Sequence, residues 1–341
     1  MAKQKLNAGL AEAYTVRRGA RFRLARFSCD DSGPFGSKGK LHADALLKSA
    51  IDRLAQLQEE LAAQDRWSVL LVFQGMDGSG KDSLMRRVFA GLNPAGFQVT
   101  SFKAPTAPEL DHDYLWRHQL ALPQRGRIGV FNRSHYEETL VVRVHPEYLK
   151  GQHLPPALVG ANVWKERFED INAWERHLAR NGTLIRKFYL HISRENQAQQ
   201  FLERIDDPAK HWKYNAADVA ERKHWDAYMQ AYEATIRATA TEHAPWVVVP
   251  SDRRWFARLV VAAALIQALE SVGLAYPEPD EKTRVAMTAQ RVELAAEVAA
   301  ANPRSDPKSS TKPRASKRTA TPPTAPPGKP RSRARQIAKR R

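Results

Sequence analysis

Val69-Leu70-Leu71-Val72-Phe73-Gln74-Gly75-Met76-Asp77-Gly78-Ser79-Gly80-Lys81-Asp82 is the stretch on which the reading of this chain turns. An apolar run closed by a glycine-rich turn and followed by a helix-compatible segment reads as a buried parallel strand feeding a phosphate-binding loop. Gly75, Gly78 and Gly80 allow backbone approaches that a Cβ would block, so successive N–H groups can converge on phosphate oxygens. Lys81 adds a mobile positive charge, and the following helix presents its positive N-terminal end. The spacing is G-x-x-x-x-G-K, but Asp82 stands where the usual motif has Ser or Thr for magnesium. A metal is therefore expected on another acid, and Asp77 inside the loop is the nearest candidate.

At 341 residues the chain can bury a large α/β core. Its single cysteine, Cys29, excludes an intramolecular disulfide and suits a reducing compartment, and the expected location is cytoplasmic. The eleven histidines form no H-E-x-x-H pattern and have no partner cysteines, which argues against a structural zinc site. No apolar run approaches the ~20 residues that span a bilayer, so no membrane partner is expected. The net charge of +17 points toward polyanions, yet residues 302–341 hold thirteen Lys and Arg against one acid, Asp306. That tail therefore accounts for +12 of the +17, leaving +5 for the rest of the chain.

Working outward from the loop, residues 1–40 lack sustained periodicity and read as an arm lying over the core. Residues 41–63 carry Leu47, Ile51, Leu54 and Leu61 at helical spacing. Further strands are expected at 98–103, 127–131, 183–192 and 246–250, and helices at 82–90, 109–120, 164–179, 193–204, 218–241 and 254–269. Alternating strands and helices predict an α/β fold, a doubly wound five-stranded parallel sheet with helices on both faces. The phosphate-loop α/β domain would span 41–277, with a helical lid at about 203–224 able to exclude water from the site. A C-terminal helix is expected over 278–301. Beyond it, 302–341 is Pro-, Lys-, Arg- and Ser-rich without aromatics, a composition expected to be disordered.

A second polar cluster, Asn132-Arg133-Ser134-His135-Tyr136-Glu137-Glu138, follows the apolar run ending at Phe131. The carboxyl ends of parallel strands face the ligand crevice, so this cluster is expected beside the phosphate loop. The two constellations together resemble the polyphosphate kinase 2 family. The resemblance extends to Leu110-Asp111-His112-Asp113-Tyr114-Leu115-Trp116-Arg117, to Phe201-Leu202-Glu203-Arg204 through Trp212-Lys213, and to Ala244-Pro245-Trp246. It covers roughly Tyr14 to Pro277. It implies a P-loop kinase fold like that of thymidylate kinases and phosphoryl transfer between inorganic polyphosphate and a nucleotide. In many members the second motif reads Phe-Asp-Arg-Ser-Trp-Tyr-Asn; here Asn132 replaces the acid and Glu137 the asparagine. That combination resembles the subgroup accepting both nucleoside monophosphates and diphosphates. The resemblance also implies adenine or guanine nucleotides as partners, Mg2+ or Mn2+ as cofactor, and a homo-oligomer.

Phosphoryl transfer needs two polyanions aligned in line with their charge neutralised. Lys81 and the loop amides at Gly75, Gly78, Ser79 and Gly80 are assigned to terminal phosphates, Asp77 with Glu137 to the metal, and Asp82, in the hydroxyl's place, to the binding of the metal-bearing substrate. Arg133 is expected to bridge donor and acceptor oxygens, and Arg204 on the lid to complete the clamp. Arg117, Asn132, Tyr136 and Glu137 are assigned to the nucleotide; Lys103, Lys210 and Lys213 are weaker candidates for a polyphosphate channel. Two other readings stand beside this one: an ATP-dependent nucleoside monophosphate kinase, and a polyanion-binding protein acting through its basic tail, with DNA or polyphosphate as the polyanion.

Overall fold

The computed structural model describes residues 6, 8–36 and 39–301. It divides into two compact units, residues 1–278 and 279–341. The basic tail, expected to be disordered, lies outside the described residues.

In the first unit the arm contains the short strand β1 (Thr15–Val16) and leads into helix α1 (Lys40–Gln64). There follow β2 (Ser68–Gln74), α2 (Lys81–Val88), β3 (Phe97–Ser101), α3 (Ala107–Leu110), α4 (Trp116–Leu120), β4 (Ile128–Asn132) and α5 (Val141–Val144). The remainder is α6 (Val163–Arg180), β5 (Thr183–His191), α7 (Arg194–Asp206), α8 (Ala216–Ala220), α9 (Trp225–Thr239), β6 (Trp246–Pro250) and α10 (Arg254–Glu270). The second unit contributes α11 (Glu281–Ala301), whose Val285, Val292 and Val298 are exposed.

Among the described residues the strands form one sheet in the order β1-β6-β5-β2-β4-β3. The five strands expected from the sequence are present and parallel. The sixth is the correction: β1 pairs antiparallel with β6, Thr15 opposite Val247. Two residues carry too little periodicity to be read as a strand; only the edge of β6 makes them one. The chain runs from β2 outward to β3, back to β4 and then across to β5, so β2 lies at the point where the winding reverses. Ligands of open α/β sheets bind at that point, beyond the strands' carboxyl ends.

β2 is buried along its whole length because both faces are covered. Val69, Leu71 and Phe73 join the core shared with α1, α2 and α10, whereas Leu70 and Val72 join the core shared with α6 and α9. The Phe73 ring stacks on Phe188 of β5 at 4.7 Å. Two long predicted helices are broken instead. The 109–120 segment splits into α3 and α4, because Thr106 and Glu109 form a capping box and the Asp113 carboxylate accepts the Leu115 N–H at 2.9 Å, starting a new turn. The 218–241 segment splits into α8 and α9 around a tight turn at Glu221–His224.

Phe188 is fully buried between Phe73 and the α10 core. Phe188→Ala is expected to cost about 3–5 kcal/mol of unfolding free energy, measured by urea denaturation.

Candidate active site

The loop after β2 is built by conformations open chiefly to glycine. Gly78 and Gly80 have φ of 87° and 89°, and a Cβ on Gly75 would stand 3.1 Å from the Leu190 carbonyl oxygen. The Ser79 N–H donates to the Met76 carbonyl at 3.1 Å, which closes the turn, and α2 begins at Lys81. Lys81 is buried, with Nζ donating to the carbonyls of Gly75 at 2.6 Å and Met76 at 3.3 Å. Burial pushes its ammonium pKa down, and the neighbouring Asp77 charge opposes that shift. One of its three N–H donors remains for a ligand.

Arg133 follows β4 in a left-handed conformation, φ 62°, which costs a non-glycine residue about 1–2 kcal/mol. Its N–H donates to the Phe73 carbonyl at 3.1 Å, lashing the end of β4 to the end of β2. Guanidinium Nη2 donates to both Asp77 oxygens, at 2.6 and 2.8 Å, and Nη1 donates to Glu137 Oε2 at 3.3 Å. The charges of Glu137 and Asp77 raise the Arg133 pKa further, so it carries a permanent charge. Burial pushes the Asp77 carboxyl up, but Lys81 and Arg133 outweigh it and hold the group below its usual range. Asp77 is therefore ionised at neutral pH.

These groups open on a cleft of about 370 Å³. Asp77, Gly78, Gly80, Lys81, Asp82, Asn132, Arg133 and Arg204 line it, and so do Lys210 and Lys213 of the segment after α7. The sequence reading missed Arg86 and Arg254, which also line it. Arg86 lies one helical turn beyond Asp82 on α2, and that spacing was the available signal; Arg254 at the start of α10 had none. Gln74, Gln197 and Asp218 were missed as well. Gln74 is wholly buried and donates to Glu137 Oε1 at 2.9 Å, and Gln197 of α7 donates to the Asp77 carbonyl at 2.8 Å. Asp218 on α8 stands 3.6 Å from Arg204.

Other assignments are displaced. Glu137 is not among the residues lining the cleft, since Gln74 and Arg133 take its oxygens from behind the loop. Ser79 is buried, its Oγ filling the space a Cβ on Gly75 would need. The Tyr136 side chain is wholly buried and turned away from the cleft, its hydroxyl donating to Glu175 Oε1 at 2.7 Å. Arg117 lines a separate cavity of about 260 Å³ with His112, Tyr114, Glu138 and Arg167. There its guanidinium donates to the Lys103 carbonyl at 2.9 Å. Lys103 lines neither cavity.

A phosphate loop at the reversal point, with a buried lysine and an arginine cross-linking two carboxylates, defines the class: a P-loop phosphotransferase. The family described as Polyphosphate kinase 2 matches residues 38–275. Over 281 residues the chain is 45% identical to the ADP-polyphosphate phosphotransferase of Rhodopseudomonas palustris, covering 80% of this chain and 97% of that one. Over 269 residues it is 44% identical to the AMP/ADP-polyphosphate phosphotransferase of Meiothermus ruber, covering 78% and 96%. The crystal structure of polyphosphate kinase 2 from Arthrobacter aurescens TC1 aligns with a TM-score of 0.72 and 38% identity, over 81% of this chain and 95% of that one. The chain belongs to the polyphosphate kinase 2 family. Its activity is that of a polyphosphate-dependent nucleotide kinase. Among the described residues no helix is long and apolar enough to cross a membrane.

Beneath the site His118 is buried against Phe102, and burial pushes its imidazole down to about 2. The unfolded chain protonates this group near 6.5 while the folded protein does not, so stability falls as pH drops below about 6.5. His118→Gln is expected to make that decline shallower by one proton, about 1.4 kcal/mol per pH unit well below 6.5, read from urea unfolding at a series of pH values.

Proposed function

We propose that the enzyme moves a terminal phosphoryl group between inorganic polyphosphate and both AMP and ADP, or their guanine counterparts, giving ADP and ATP. The observation that carries this reading is the Arg133 cross-link between Asp77 and Glu137 at the phosphate loop, where Asp77 and Arg133 line a basic cleft, beside which the same unit holds a second cavity lined by Arg117. The relative from Meiothermus ruber, named for both AMP and ADP, supports it.

Polyphosphate would lie along Arg86, Lys210, Lys213 and Arg254, where successive charges meet successive phosphates. The nucleotide would enter through the cavity lined by Arg117, where the His112 ring stacks on Trp116 at 3.9 Å and the Arg167 guanidinium lies 4.1 Å over the Tyr114 ring. Lys81 and the loop N–H groups would orient the phosphoryl group for in-line transfer. Arg133, already held flat against the loop, would meet the charge that builds on the transferring oxygens without reorganising. Arg204 would join it as the lid segment 203–224 closes and excludes water.

The donor set fits Mg2+ or Mn2+. Asp77 and Asp82 are carboxylates on the cleft, and Asn132, which donates to Asp82 at 2.9 Å, leaves its own Oδ1 without a hydrogen-bond partner. These hard oxygens, few in number, suit a cation that takes most of its ligands from water and substrate phosphates. When bound, the cation supplies charge neutralisation on the phosphates. Glu137 would act behind them by holding Arg133.

Purified protein with Mg2+ and long-chain polyphosphate is expected to convert AMP to ADP and then ATP, followed by chromatography of the nucleotides, and to stop when EDTA is added. Formation of ATP from ADP alone, with AMP untouched, would contradict the dual-acceptor reading. Lys81→Ala and Arg133→Ala are each expected to lower kcat by about 10²–10³-fold, by analogy with loss of a transition-state donor.

A further inference from the structure

Below the phosphate loop, in the core between the sheet, α6 and α9, lies an ion pair that none of the steps above uses. Lys187 of β5 and Glu175 of α6 are both fully buried, with Nζ 2.6 Å from Glu175 Oε2. Lys187 spends its other two protons on the Tyr136 hydroxyl and the Thr239 carbonyl, both at 2.8 Å. The Tyr136 hydroxyl in turn donates to Glu175 Oε1 at 2.7 Å, so it is clamped by a donor and an acceptor together. The Tyr136 ring meets the edge of Trp246 at 4.8 Å, and the Trp246 indole N–H donates to Thr239 Oγ1 at 2.9 Å.

Removing two charges from water is costly, and an apolar set of similar volume would commonly serve stability as well or better. Directionality is what an apolar set lacks. A ring packed by shape alone can pivot, whereas one whose hydroxyl bridges Lys187 and Glu175 has a single orientation. That orientation passes directly to the site. The Ser134 hydroxyl accepts the Tyr136 N–H at 3.2 Å, and the Thr139 hydroxyl donates to the Tyr136 carbonyl at 3.2 Å, so the turn is closed on both sides of this residue. Thr235 of α9 donates to Thr139 Oγ1 at 3.1 Å, securing the far end. Glu137 is the next residue, and Arg133, in its left-handed conformation, is three residues earlier.

We propose that Glu175 and Lys187 are positioning residues for phosphoryl transfer, acting through the Tyr136 hydroxyl to hold the turn that aims Arg133 and Glu137. The inference rests on the phosphotransfer reading above. A small displacement of a transition-state group can cost up to about 10²-fold in rate while leaving ground-state binding nearly intact.

Three proteins are compared by steady-state kinetics, with thermal unfolding and far-UV circular dichroism in parallel: wild type, Tyr136→Phe, and the apolar double variant Glu175→Leu/Lys187→Met. Tyr136→Phe removes one oxygen and no ring volume. It is expected to lower kcat about tenfold or more, with KM for nucleotide and polyphosphate within about twofold, and to lower the melting temperature by several degrees, because a Lys187 proton and a Glu175 oxygen lose their partner, while the protein stays fully folded at the assay temperature. The double variant removes both buried charges but leaves the Tyr136 hydroxyl and the Thr239 carbonyl without these partners; it is expected to fold, to melt no more than several degrees below wild type, and to be equally slow. Wild-type kcat in Tyr136→Phe would overturn the proposal, as would wild-type kcat in a folded double variant. So would a loss of rate matching the loss of folded protein. Should the double variant not fold, Tyr136→Phe decides alone. If the wild-type protein itself transferred no phosphate from polyphosphate, the functional reading would have failed rather than this inference.

Discussion

The guanidinium of Arg133 is the tie on which the site depends. It joins the loop after β2, through Asp77, to the turn after β4, through Glu137, while its own N–H bonds the last part of β2. Two strand ends that must face a highly charged substrate are thereby held together without a ligand. Arg133 sits between opposite charges, and Lys81 is balanced by Asp77, so the loop rests neutralised. Without those carboxylates, positive charge would be concentrated at the loop with no phosphate to meet it.

That arrangement places demands on the surrounding fold. Gly78 and Gly80 supply backbone angles that other residues resist, and Arg133 adopts such an angle without being glycine. Strain of this kind persists where neighbouring structure over-determines it. Here the neighbours are a strand bond to Phe73, a turn capped by Ser134, and an aromatic ring buried beneath it. Gln197, donating to the Asp77 carbonyl while accepting from Arg222 at 2.9 Å, extends the support into the helices beside the lid segment. The crevice floor is tied by these bonds, whereas Trp212 and Tyr214 in the segment after α7 face solvent.

The relatives from Rhodopseudomonas palustris and Meiothermus ruber correspond to about four-fifths of this chain, and the family match ends at residue 275. The part beyond includes α11, whose apolar side chains are exposed rather than packed.

By itself the sequence determined the parallel sheet, the loop at its reversal point and the identity of Lys81, Asp77 and Arg133 as neighbours. Those features are local: continuous apolar runs mark buried strands, glycine spacing marks the loop, and a parallel sheet brings its strand ends to one edge. Tertiary structure alone decided the rest. Thr15–Val16 became a strand only on meeting β6, and α3 and α4 separated through caps at Thr106 and Asp113. Tyr136 and Glu137 are adjacent in a polar motif, yet one turns into the core toward Lys187 and the other toward Arg133. Nothing in a list of residue types says which side of a tight turn faces water. Its inward side is where partners 39 and 51 residues away, Glu175 and Lys187, meet the Tyr136 hydroxyl, a buried charge pair that calls for a polar group to satisfy its remaining bonds.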